Sequence, residues 1–164
     1  MRIFRVIAIL MLIAWCILIF SLSAQDAASS KETSGKVTEK VISIVYPEFS
    51  EYDSEKQDEI IHSVSFYTRK FAHFTIFAVL GVLAILSVIT YKKPNFTLKV
   101  LISAAFCVFY AISDEFHQAF VSGRSGEIRD VIIDISGSLL AVGLTALIFK
   151  FSKILRKFIG ENNA

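Results

Sequence analysis

Four stretches of the chain are apolar for long enough to cross a lipid bilayer, and this constrains the fold more than any other feature. A helix rises about 1.5 Å per residue, so roughly 20 apolar residues span a hydrocarbon core about 30 Å thick. The stretches are Ile3–Phe20, Phe71–Thr90, Leu98–Val121 and Val131–Phe149. The chain is 54% hydrophobic with 7 Gly and 2 Pro in 164 residues, too apolar and too poor in breakers for an ordinary soluble domain. The expectation is an all-α polytopic membrane protein, a single domain over 1–164 with four transmembrane helices.

The first stretch has a rival reading as a signal peptide, with Arg2 and Arg5 as the charged leader and "SLSA" as a cleavage site. Its apolar run argues for an uncleaved span, because a signal peptide carries only roughly 7–15 such residues. A lipoprotein signal at "IAWC" is excluded by the size of Trp15 before the acceptor cysteine. Cys16 and Cys107 both sit inside apolar runs, so two buried thiols and no disulfide are expected. Basic residues do not interleave with aromatics, which argues against nucleic acid as a partner. No metal-type spacing, phosphate loop or repeat occurs, and no cofactor is implied.

Lys and Arg set the expected orientation. Arg2, Arg5, Lys92, Lys93, Lys99, Lys150, Lys153, Arg156 and Lys157 fall on one side, with Glu161 as the only acid there. That side should be cytoplasmic, which gives N-in/C-in. The other side holds a long net-acidic loop, 21–68, and a short loop, Ser122–Arg129. Within the long loop Val37, Val41, Ile44 and Val45 recur at helical spacing among charges, which predicts an amphipathic surface helix ended by Pro47. Ser54 followed by Gln57 has the spacing of a capping box and predicts a second short helix leading to the second span. Its acidic residues, and His62, read as a solvated face.

The orientation brings unusual polar residues together. "YAISDEFHQAF" closes the third span with Asp114, Glu115, His117 and Gln118. Arg69, Lys70 and His73 open the second, and Arg124, Arg129, Asp130 and Asp134 lie at the start of the fourth. The first span exits at Ser21, Ser23 and Gln25. All of these fall in one layer in the outer third of the membrane. Positions i, i+3 and i+4 share a helix face, so Asp114, His117 and Gln118 form one stripe, with Glu115 off to the side. Arg69 shares a face with His73. Asp130 shares one with Asp134, continued by Gly137 and Ala141, which permit close helix approach. His73 and Asp134 should lie about 6 Å below their helix starts, and Asp114 about 10 Å below Val121. A charge at mid-membrane costs about 2.5–3.5 kcal/mol, less near the interface, so these groups must be compensated by one another or by a ligand.

Taken together, these segments resemble the VanZ-like family, proteins associated with teicoplanin resistance. The matching pieces are "FSLSAQ" after the first span, "RKFAHF" opening the second, "ISDEFHQAFVSGRSG" closing the third and "RDVIIDISG" opening the fourth. Their order covers the chain from about Trp15 to Phe149. The chain departs from the pattern at Asp134, where many relatives carry Asn, and at "SGR", where Pro-Gly-Arg is more usual. The resemblance implies a multi-pass protein of a bacterial cytoplasmic membrane acting at the outer face of the envelope, with a contribution to glycopeptide or lipopeptide resistance among its implied roles.

Three function classes follow. The first is binding or remodelling of an envelope amphiphile: a lipid headgroup, a wall-precursor phosphate or a lipidated antibiotic. Its ligand-binding set is Arg69, Lys70, His73, Asp114, Glu115, His117, Gln118, Arg124, Asp130 and Asp134. Arg69, Lys70 and Arg124 serve as anion contacts, and Asp114 and Asp130 orient them. The second is an intramembrane hydrolase or transferase on a lipid-linked substrate, with His73, Asp114, His117, Asp130 and Asp134 as catalytic candidates. The third is a proton-linked transporter, disfavoured because the polar residues stop in the outer third. Against all three stands a polar clamp that fixes helix register and does no chemistry. Homo-oligomerisation is compatible with each.

Overall fold

The computed structural model describes residues 2–161, apart from the side chains of 31, 33 and 153–161. Among the described residues all regular structure is helical, with no strand: α1 (Arg2–Ser23), α2 (Ala27–Val45), a 3-10 turn (Phe49–Glu51), α3 (Ser54–Ile89), α4 (Phe96–Gln118) and α5 (Ile128–Glu161). Four of them, α1, α3, α4 and the Ile128–Ser152 part of α5, are long and apolar enough to cross a membrane. Lys153, Arg156, Lys157 and Glu161, used above for orientation, have side chains outside the described residues.

Helix α3 is the hub. It packs against α1, α2, α4 and α5. Its lower half supplies Phe77, Leu80, Ala84 and Ile85 to a core completed by Ile19, Cys107, Ala111 and Val142. Large side chains facing away from this core, such as Leu10, Ile13 and Ile17 of α1 or Leu144 and Ile148 of α5, are exposed. In a bilayer they meet acyl chains rather than water, so their exposure costs little. Helix approach in lipid must then come from close packing and interhelical hydrogen bonds.

The seam between α3 and α5 depends on two glycines. A Cβ on Gly81 would strike the Ser138 carbonyl, and one on Gly137 would strike the Phe74 carbonyl. The backbones therefore touch where no side chain intervenes. Helix α1 is fastened by hydrogen bonds instead: Trp15 Nε1–H donates to Ile76 O at 2.9 Å, and the Tyr110 hydroxyl donates to Cys16 O at 2.6 Å. Cys107 is buried and Cys16 half-buried, both as free thiols.

The ends of the bundle differ. At the one holding the start of α1 and the α3–α4 connection, cations cap the last carbonyls of α3. The Arg5 guanidinium donates to Thr90 O at 2.7 Å and lies over the Tyr91 ring. Buried Lys99 donates to Ile89 O and Tyr91 O. The opposite end carries the polar residues described below.

Several local expectations need correction. The second short helix and the second span are one continuous α3, 36 residues or about 54 Å long, because nothing between Ser54 and Ile89 breaks the backbone ladder. Its cap is Asp53, which accepts from Lys56 N–H, rather than Ser54; Gln57 reaches back to Tyr52 O. The third helix ends at Gln118, not Val121, so Asp114 lies one turn from its end. Helix α2 forms as expected and stops before Pro47. Its buried residues are Thr38 and Ile42, however, and Val37, Ile44 and Val45 stay exposed, because α2 docks on α3 along the neighbouring face. His62 and the acidic residues beside it are exposed, as expected.

Candidate functional site

The turn between α4 and α5 organises the polar end. Gly123 has φ of +73°, and Arg124 N–H closes a turn onto Val121 O at 3.1 Å. A positive φ at the third turn position favours glycine, which accounts for Gly123. The turn presents Ser122 O to Ala27 N–H at the start of α2. It also aims Arg124 inward, where one guanidinium nitrogen donates to Ser23 O at 3.0 Å and the other to Ser30 Oγ at 3.1 Å. Arg124 thus joins the end of α1, the start of α2 and the α4–α5 turn. Burial pulls its pKa below the ordinary arginine value, and the nearby Arg69 charge adds to this, while Asp114, Glu115 and Asp130 oppose it. It stays protonated at any accessible pH.

Under this turn lies a cavity of about 220 Å³. Its polar end is formed by Arg69, His73, Asp114, Gln118 and Arg124, with Ser23, Ser30 and Ser34; its remaining wall is apolar, with Ile19, Leu22, Val37, Ile76 and Phe77. A second cavity of about 110 Å³ shares Arg69, His73, Gln118 and Arg124 and adds Glu127 and Asp130. Asp114 is buried and accepts from the Gln118 amide at 2.9 Å. Arg69 makes no hydrogen bond or ion pair among the described residues, and Arg124 spends its fork on a carbonyl and a hydroxyl, not on a carboxylate.

The other predicted residues are near but do not line the larger cavity. Lys70 is paired with Asp130 and, at 3.4 Å, with Glu127. Glu115 accepts the Glu127 N–H at 2.5 Å. That places a carboxylate at the positive end of α5 and gives Glu115 a partner different from that of its neighbour Asp114. His117 shares the Asp114 face, but its ring stacks on Phe20 of α1 with centroids 4.6 Å apart and lines neither cavity. Asp134 is fully buried, its Oδ1 3.3 Å from His73 Nδ1. Arg129 is exposed.

Some of the lining was missed from sequence. Ser30, Ser34 and Val37 of α2 cover the cavity, and Glu127 borders the smaller one. The signal was available, since those three α2 positions fall at i, i+4 and i+7 on one face. What the sequence could not indicate was that α2 folds back over the α1–α3–α4 junction. Among the described residues no group of His, Cys, Asp and Glu has the arrangement of a metal site.

The fold and this end of the bundle define a class: a helical membrane protein with four candidate spans and an amphipathic cavity between their polar ends. The family model of VanZ/LLP1 matches residues 8–150, most of the chain. The chain belongs to the VanZ/LLP1 family. No curated protein and no solved structure matches it.

Proposed function

We propose that the chain binds an anionic amphiphile of the cell envelope at the outer leaflet of the cytoplasmic membrane. One observation carries this reading: a single cavity joins two guanidinium groups, neither hydrogen-bonded to nor ion-paired with a carboxylate among the described residues, to an apolar wall built by α1 and α3. Arginine pairs bidentately with phosphate or carboxylate, and the apolar wall suits an acyl or prenyl chain. Lipid headgroups, wall precursors and lipid-tailed glycopeptides share that combination. Family membership is consistent with a membrane protein linked to glycopeptide resistance. The basic residues at the far end of the bundle favour a cytoplasmic location there, and so an outward-facing cavity.

Two measurements test this. Native mass spectrometry of the protein purified in mild detergent should find a retained anionic lipid that Arg69→Gln releases. Arg69 makes no hydrogen bond or ion pair among the described residues, so this change should leave the fold intact. Teicoplanin susceptibility at matched expression should shift with the wild type and revert with Arg124→Ala. Equal lipid retention by wild type and Arg69→Gln, with no shift in susceptibility, would sink the reading.

A further inference from the structure

We propose that His73 is the general base for hydrolysis of a phosphodiester held in this cavity, with Asp134 as its positioning residue. The inference rests on the amphiphile-binding reading and adds chemistry to it.

The geometry has three parts. First, the α3–α5 seam sets His73 against Asp134. Gly137, one turn below Asp134, lets α5 touch the carbonyl of Phe74, the residue after His73. This brings His73 Nδ1 to 3.3 Å from Asp134 Oδ1, and Asp134 is wholly buried behind it. Neither carboxylate oxygen makes a hydrogen bond among the described residues, and His73 Nδ1 lies within ion-pair range of Oδ1. A carboxylate this close to one imidazole nitrogen needs only a small ring rotation to hydrogen-bond it, which would fix the tautomer and leave the other nitrogen to act; such contacts are commonly looser before substrate binds.

Second, that other nitrogen is available. His73 lines both cavities, and no hydrogen bond engages its Nε2 among the described residues. The other histidine of the cluster differs: His117 stacks on Phe20 and lines neither cavity. Third, Arg69 and Arg124 share both cavities with His73, so an anion held by them lies beside the base. Lys70 is committed to Asp130 and Glu127, which reserves the arginines for a ligand. Two guanidiniums are also the groups that stabilise charge building on phosphoryl oxygens.

The step balances with water alone. Nε2 takes a proton from water as the water oxygen bonds to phosphorus. The phosphorus–oxygen bond to the leaving alcohol breaks, and the proton on Nε2 passes to that oxygen. An alcohol and a phosphomonoester result, and His73 returns to its starting state.

The test uses full-length protein reconstituted in vesicles of phosphatidylglycerol and, separately, of a bacterial total polar lipid extract, with phosphorus NMR as the readout. A phosphomonoester should appear with the wild type and fall roughly 10²–10⁴-fold with His73→Gln. The near-isosteric Asp134→Asn should lower kcat with KM nearly unchanged, whereas Arg69→Gln should raise KM. A clamp role for Asp134 would not produce that split. No phosphomonoester above protein-free vesicles overturns the proposal, as does equal turnover by wild type and His73→Gln. If lipid is still retained in the mass-spectrometric experiment while no turnover occurs, binding stands and catalysis falls.

Discussion

His73 and Asp134 face each other at 3.3 Å across the α3–α5 seam, with a close backbone approach only one turn away at Gly137 and Phe74. The two facts are linked. Lipid gives helices little hydrophobic reason to associate, so small residues that let backbones meet set the register. In this chain that register also determines which imidazole meets which carboxylate.

Gly137→Ala should therefore separate α3 from α5. The new Cβ strikes a backbone carbonyl that cannot rotate away. Overpacking of this kind costs about 1–3 kcal/mol. Gly81→Ala, which strikes Ser138 in the same seam, should cost a similar amount, while Gly143→Ala, with open space around it, should cost almost nothing. Thermal unfolding in one detergent would rank the three. Equal Tm values for Gly137→Ala and Gly143→Ala would refute the seam argument.

Lys99→Met should destabilise the opposite end. Lys99 is buried and its ammonium caps the Ile89 and Tyr91 carbonyls. Methionine keeps the volume but leaves acceptors unsatisfied, which costs about 1–3 kcal/mol. Hydrogen exchange should rise at the last turn of α3 and stay unchanged at the polar end; uniform exchange across both ends would argue against a local cap.

Arg124→Lys should loosen α2 although the charge is kept. The guanidinium reaches Ser23 O and Ser30 Oγ with separate nitrogens, and a single ammonium on a flexible stem does not reproduce that fork. Limited proteolysis between residues 24 and 53 should quicken in Arg124→Lys, and nearly as much in Arg124→Gln. A lysine variant as resistant as the wild type would show that charge alone holds α2.

Asp26 makes the start of α2 acid-sensitive. Its carboxylate accepts the Ser29 N–H at 2.7 Å, which holds its pKa below the ordinary 3.8. A depressed carboxylate stabilises fully above the unfolded pKa and loses that contribution as pH falls through the folded value. Exchange protection in the first turn of α2, corrected for intrinsic rate, should match at pH 7 and pH 5 and decline only below about 3.8. Asp26→Asn, still able to cap, should remove the acid dependence. A decline already complete at pH 5 would contradict the assignment.

The sequence by itself determined the four spans, the family and the gathering of polar residues at one end. Each follows from quantities local to the chain: apolar run length against bilayer thickness, and the 3.6-residue period that puts Asp114 with Gln118 and Arg69 with His73. It also separated Glu115 from that stripe, and Glu115 does hold a different group, the start of α5. Only the tertiary structure decided which polar groups cancel one another and which face a cavity. Lys70 and Arg69 are adjacent in sequence, yet Lys70 is paired with Asp130 while Arg69 lines the cavity with no ion pair among the described residues. His117 shares a helix face with Asp114 but packs on Phe20 instead. The physical reason is that pairing depends on the rotation and depth of one helix against another. In this chain those are set by the two glycine contacts of the α3–α5 seam and by the reach of Arg124 to α1 and α2, which no single segment encodes.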